Sequence, residues 1–154
     1  MKLIRYALIV INTLMMQSCF EGCSETYEPE KDITVTCKNG YSEAVYTFAK
    51  MTTQQLTPKD LPIEFIPNIV ENGGMPPGYS SCSELTNHMF IRTPYVTFIF
   101  WRESTLKEFS KEEIIKYDIY DDIYHLTYND LGLFNYEVVY HGYSYWQENN
   151  LTVE

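Results

Sequence analysis

Apolar and polar residues alternate with a period of two in several short runs of this chain, while helical periodicity is rare. In residues 33–37, Ile33, Val35 and Cys37 alternate with Thr34 and Thr36. Lys38-Asn39-Gly40 then supplies turn chemistry before residues 44–51 alternate again, a pattern that predicts a β-hairpin. The clearest strand signal is residues 95–101, where Val96, Phe98 and Phe100 face one way and Tyr95, Thr97, Ile99 and Trp101 the other. A strand apolar on nearly both faces is expected at the centre of a sheet covered on both sides. Residues 123–127 and 136–140 predict two further strands, the latter with Tyr136, Val138 and Tyr140 on one face.

Helix signals are short and punctuated. Ser110-Lys111-Glu112-Glu113 has the Ser-x-x-Glu capping box and predicts a helix running to Tyr117. Thr127-Tyr128-Asn129-Asp130 repeats that logic, with Gly132 placed to end a single turn at Leu131. Between residues 52 and 78 the chain carries Pro58, Pro62, Pro67, Pro76, Pro77 and the pair Gly73-Gly74, so no long regular element fits there. The apolar run 63–70 inside this segment is expected to pack as a short strand. The pattern as a whole predicts a mainly β, β-sandwich-like single domain, with an immunoglobulin-like sandwich among the options. About seven strands and one or two short helices are expected.

Residues 1–18 read differently from the rest. Lys2 and Arg5 precede an apolar run from residue 6 to 16 and a small Ser18, the order of a secretory leader. The run is too short for a spanning helix, which needs roughly 20 apolar residues. Met16-Gln17-Ser18-Cys19 has the form of a loose lipobox, so Cys19 is expected to carry a fatty acid such as palmitate and to begin the mature protein. Residues 19–32, with Glu21, Glu25, Glu28, Glu30 and Asp32, read as an acidic tether. Residues 33–143 form the β-rich domain and 144–154 a C-terminal tail. The formal charge is −10, and loss of Lys2 and Arg5 with the leader takes it by two to −12. Such an excess repels nucleic acid phosphates, so DNA and RNA are not expected partners.

Of the four cysteines, Cys19 goes to lipid and Cys23 lies on the tether. Cys37 closes the first strand and Cys82 lies in another alternating stretch, so a Cys37–Cys82 disulfide and a pair of free thiols are both open. Zinc is not expected, because no Cys-x-x-Cys is present.

The segment from Val96 to Tyr140 also carries a likeness as a whole. An aromatic strand (Val96-Thr97-Phe98-Ile99-Phe100) is followed by Ser104-Thr105-Leu106-Lys107-Glu108-Phe109 and the capped Glu113-Ile114-Ile115 turn. Tyr124-His125-Leu126-Thr127, Asp130-Leu131 and Asn135-Tyr136-Glu137-Val138 complete it. In this the chain resembles a group of small Bacteroidota lipoproteins of unassigned molecular function, in which a lipidated cysteine precedes a β-rich domain. The likeness spans about residues 33–140 and implies a fold and an address, an outer-membrane lipid anchor, but no site residues.

Catalytic motifs are not read. His88, His125 and His141 have no metal-binding spacing, and Gly142-Tyr143-Ser144-Tyr145-Trp146 lacks the final glycine of a nucleophile elbow. The carboxylates at Asp118, Asp121, Asp122 and Asp130 read as solvated loops rather than a calcium site. No cofactor or metal is expected. With 14 Tyr and 8 Phe, aromatic contact is the better signal, and Tyr143, Tyr145 and Trp146 are candidates for touching a ligand. The expectation is a non-enzymatic protein-binding or accessory module of the cell envelope. The alternative is a surface glycan-binding module, and a third reading is a hydrolase with paired carboxylates.

Overall fold

The computed structural model describes residues 32–70, 73–86 and 88–149, so the leader, Cys19, Cys23, the tether up to residue 31 and the last five residues lie outside the described part. Among the described residues the strands are β1 (Asp32–Asn39), β2 (Val45–Thr52), β3 (Ser80–Thr86), β4 (Tyr95–Arg102), β5 (Asp122–Leu126) and β6 (Glu137–Tyr140). The short helices are α1 (Met89–Arg92), α2 (Glu103–Glu108), α3 (Lys111–Lys116), α4 (Tyr128–Leu133) and α5 (Tyr145–Glu148). The protein is thus mainly β, and its described residues form six strands and more helical turns than the pattern announced.

The strands form two three-stranded sheets, ordered β3-β1-β6 and β2-β4-β5. In the first, β1 pairs antiparallel with β3 and parallel with β6; in the second all pairs are antiparallel. Alternation along the strands builds the core between them. Ile33, Val35 and Cys37 of β1, Leu85 of β3, and Val138 and Tyr140 of β6 pack on Val45 of β2, Val96, Phe98 and Phe100 of β4, and Leu126 of β5. A second core lies on the far side of the β2-β4-β5 sheet, where Phe48, Ile99 and Trp101 meet Leu61, Ile66, Ile114 and Ile119. The central strand β4 is therefore covered on both faces, with the two sets of residues divided as its alternation predicts, and the domain has three layers.

The hairpin expected between the first two strands does not form. β1 and β2 lie in opposite sheets, and Asn39 makes the crossing rather than a turn. Its side chain is fully buried; Nδ2 donates to the carbonyls of Glu43 and Met75, both at 2.8 Å, and Oδ1 accepts from the Tyr41 amide at 2.8 Å. Its backbone is bound as well, with its N–H donating to Tyr79 O and its carbonyl accepting from Gly78 N. Pro77 and Gly78 make the tight turn before this point: the Tyr79 amide reaches Pro76 O at 3.1 Å, and Gly78 takes the positive φ of 78°.

Both capping boxes form. Ser110 Oγ accepts from the Glu113 amide and Thr127 Oγ1 from the Asp130 amide, each at 3.3 Å. Their helices end in paired Schellman bonds closed by residues other than glycine. After α3, Ile119 N donates to Ile114 O and Asp118 N to Ile115 O, with Asp118 at φ 55°. After α4, Tyr136 N donates to Leu131 O and Asn135 N to Gly132 O, with Asn135 at φ 51°. Gly132 does not stop the helix at Leu131 but lies inside it, because the left-handed position falls at Asn135 instead. Residues 63–70 form no strand. Ile63–Phe65 is a 3-10 turn in which only the neighbouring Ile66 is deeply buried, and Ile63, Phe65 and Val70 are exposed.

Cys37 and Cys82 are free thiols. The register sets Thr36 opposite Cys82 and Cys37 opposite Ser81, so the two cysteines point to opposite faces of their sheet and cannot bridge. Burial pushes the Cys37 thiol up from 9.0 to about 11, an effect the Thr47 hydroxyl partly offsets. Below pH 9 the thiol is neutral whether the chain is folded or not. Between pH 9 and about 11 the unfolded chain ionises first, so stability falls across that window by on the order of 2 kcal/mol. Denaturant midpoints from pH 8 to 11 are expected to show this fall, and Cys37→Ala to remove its lower part; a flat profile in the parent chain contradicts the assignment. At pH 8, iodoacetamide is expected to label Cys82 and spare Cys37 in the native protein.

Candidate functional site

The aromatics favoured by the sequence are each held by a different partner. Trp146 is half-buried on the second core, set edge-on to Phe109 at 4.9 Å, and its Nε1 donates to Thr105 Oγ1 at 3.1 Å. Tyr145 stacks flat on Tyr120 at 4.6 Å. Tyr143 is exposed, but its carbonyl accepts the Tyr140 hydroxyl at 2.6 Å. Residues 144–149 are therefore bound into the domain, and a boundary at residue 143 is too early.

What holds that segment is Asp121, which the sequence offered only as one acid of a loop. Its side chain is fully buried and accepts four hydrogen bonds: Arg102 N at 2.7 Å, Arg102 Nε at 2.9 Å, Thr105 Oγ1 at 2.7 Å and Ser144 Oγ at 2.6 Å. The Asp121 carbonyl also accepts from Tyr145 N at 2.8 Å. Asp121 thus ties β4, α2 and the start of α5 to the entry of β5. Gly142 permits the approach, since with φ 91° it lies where a Cβ would run into the Tyr41 ring. The neighbouring acids have separate duties. Asp118 accepts from the Lys59 amide at 3.0 Å, Asp130 caps α4, and Asp122 binds its own following amide at 2.9 Å. Burial raises the Asp122 carboxyl, against the pull of its bonds to Tyr124 and to the Ile123 amide, and Tyr124 is in turn pushed up to about 12. His125 Nδ1 meets Thr97 Oγ1 at 3.2 Å, and burial lowers its pKa.

The open face of the molecule lies elsewhere, along β2. This strand is the edge of its sheet, and among the described residues only its first residue has a further backbone partner: Val45 N donates to Met75 O at 3.0 Å and Met75 N to Val45 O at 2.7 Å. Both backbone groups of Val45 thus point away from β4. By the alternation of an antiparallel ladder, so do those of Thr47, Ala49 and Met51, while Tyr46, Phe48 and Lys50 bond β4. No backbone bond to Thr47, Ala49 or Met51 from that side exists among the described residues.

Three hollows meet on this edge. A groove of about 870 Å³ runs beside residues 45–50 and is bounded by Phe65, Pro67, Met75, Pro76, Tyr79 and Ser81. A slot of about 310 Å³ enters between the sheets, lined by Val35, Ala49, Met51, Leu85, Val96 and Phe98. A third, of about 250 Å³, lies on the outer side by Phe48, Leu56, Leu61 and Phe65. The slot exists because β2 and β3 are both edge strands and no described strand joins them, so the inter-sheet core is reached from the side. Phe65 and Tyr79 stand exposed at the rim, and Lys50 Nζ lies 4.7 Å over the Phe65 ring. Sequence reasoning missed this edge, because alternation marks a strand but not its place in the sheet order. Comparison of the chain with protein-family models, with curated proteins and with solved structures gives no match.

Proposed function

We propose that this protein is a non-enzymatic, protein-binding module held at the cell envelope by a lipid on Cys19. The observation that carries the binding half of this reading is the unpaired edge of β2 with apolar hollows on both of its sides. Exposed edges are normally blunted, because their free N–H and C=O groups recruit other chains. Here no described residue pairs with β2 beyond Val45 on that side, and Phe65 and Tyr79 stand exposed beside it. The anchoring half is supported by Lys2, Arg5, the apolar run 6–16 and the Met16-Gln17-Ser18-Cys19 sequence. Among the described residues no helix is long and apolar enough to cross a membrane.

Two readouts on the tagged protein in its own envelope test both halves. Labelled fatty acid is expected to enter the wild-type chain and not Cys19→Ala; equal labelling refutes the anchor. Cross-linking is expected to join a polypeptide to the anchored protein and to lose most of it in Cys19→Ala. Recovery of no polypeptide above background refutes protein binding.

A further inference from the structure

We infer that the free edge of β2 accepts an extended segment of a partner polypeptide as an added strand, apolar at every second residue and basic at its ends; this rests on the protein-binding reading. The geometry fixes the length. Val45 is already closed by Met75 and β2 ends at Thr52, so Thr47, Ala49 and Met51 offer their N–H and C=O groups to a guest of about five residues. Alternation fixes the side chains. Ala49 and Met51 lie over the slot between the sheets, so guest residues on that face would enter a cleft walled by Val35, Leu85, Val96 and Phe98. Residues on the other face would lie toward Phe48 and Phe65. A guest that fills both hollows completes the inter-sheet core from the side that β2 and β3 leave open.

Charge selects among occupants. The chain carries −10, or −12 without residues 1–18, so a second copy brings the same excess and is repelled. Residues 20–31 hold four glutamates and no apolar alternation, which unsuits them to the slot. Leu151-Thr152-Val153 alternates correctly but brings no positive charge. A partner segment with lysine or arginine at its ends meets both demands.

The test is hydrogen exchange of the full chain, read amide by amide, with the synthetic peptide Lys-Lys-Val-Thr-Val-Thr-Val-Lys-Lys as probe. Exchange at Thr47, Ala49 and Met51 is expected to slow at least about tenfold, while Tyr46, Phe48 and Lys50, already in the ladder, change little. A peptide of the same composition with its three valines consecutive, and one with glutamate in place of lysine, should each protect at least about tenfold less. Ala49→Pro removes an amide that the β4 ladder does not use, so it should fold and lose the protection. Ala49→Lys, which sets a charge over the slot and leaves the backbone intact, should lose it too. Equal protection by the consecutive-valine or glutamate peptide, or protection surviving in both variants, overturns the inference. Protection without peptide also overturns it: if lost on dilution the occupant is a second copy, and if lost on truncation after Asn149 it is the chain's own C-terminus. Should the peptide leave the edge unprotected while the envelope cross-link persists, the site is wrong and the protein-binding reading stands; loss of both removes both.

Discussion

Replacing Asp121 with alanine is expected to cost about 3–5 kcal/mol of stability, the range for removing one partner of a buried ion pair. The carboxylate holds four donors at once, and its loss strands the charge of Arg102, a residue only 6% exposed. The nearest remaining anion, Glu43, is 3.9 Å from Arg102 Nε, and the Tyr41 ring lies 5.8 Å from the guanidinium carbon. The Arg102 Nη2 already lacks a hydrogen-bond partner among the described residues, so the site has no reserve. Asp121→Asn should destabilise by a smaller amount. It preserves the volume but turns one acceptor into a donor, facing either the Arg102 amide and the Thr105 hydroxyl or the Arg102 Nε and the Ser144 hydroxyl. Because Ser144 and Tyr145 are bound to Asp121, both variants should also loosen α5 and shift Trp146 fluorescence to the red before global unfolding. A denaturant midpoint within about 1 kcal/mol of the parent would show that the network is not what joins these elements.

Trp101→Ala is expected to cost about 3–5 kcal/mol, and Trp101→Phe about 1–3 kcal/mol. Trp101 is the largest fully buried side chain, and its Nε1 donates to the Ile119 carbonyl at 2.8 Å. Ile119 in turn closes the Schellman turn after α3, so one indole both fills the second core and pins the helix to the sheet. Phenylalanine keeps most of the packing and orphans the carbonyl, whereas alanine also leaves a cavity. If the two variants were equally unstable, the hydrogen bond rather than the packing would account for the loss.

Elements whose local chemistry is self-sufficient were legible in the sequence. The double-faced alternation of residues 95–101 marks a covered central strand, and the spacings Ser110 to Glu113 and Thr127 to Asp130 mark the helix starts, since each needs only neighbours within a few residues. The failures are long-range. Asn39-Gly40 has the look of a hairpin turn, yet Asn39 spends its side chain on Glu43 and Met75, and the latter is 36 residues away. Asp121 and Trp146 looked like surface groups because their partners, Arg102, Thr105 and Phe109, come from a distant strand and helix. Cys37 and Cys82 seemed able to pair because pairing depends on a register that alternation alone leaves undetermined. The candidate site was invisible for a related reason: an edge is defined by what fails to pair with it, and that is a property of the whole sheet order.

The central claim, protein binding through the β2 edge at the envelope, is most directly tested by site-specific photo-cross-linking of the anchored protein. A photoreactive residue is placed at Phe65 or Tyr79 beside the groove, or at the exposed Leu133 on α4, which packs against β5 at the other edge of the sheet. The account predicts that positions 65 and 79 both form adducts with the same polypeptide, that Ala49→Pro abolishes them, and that position 133 forms none. Adducts of equal yield at position 133, or none at 65 and 79, would contradict it.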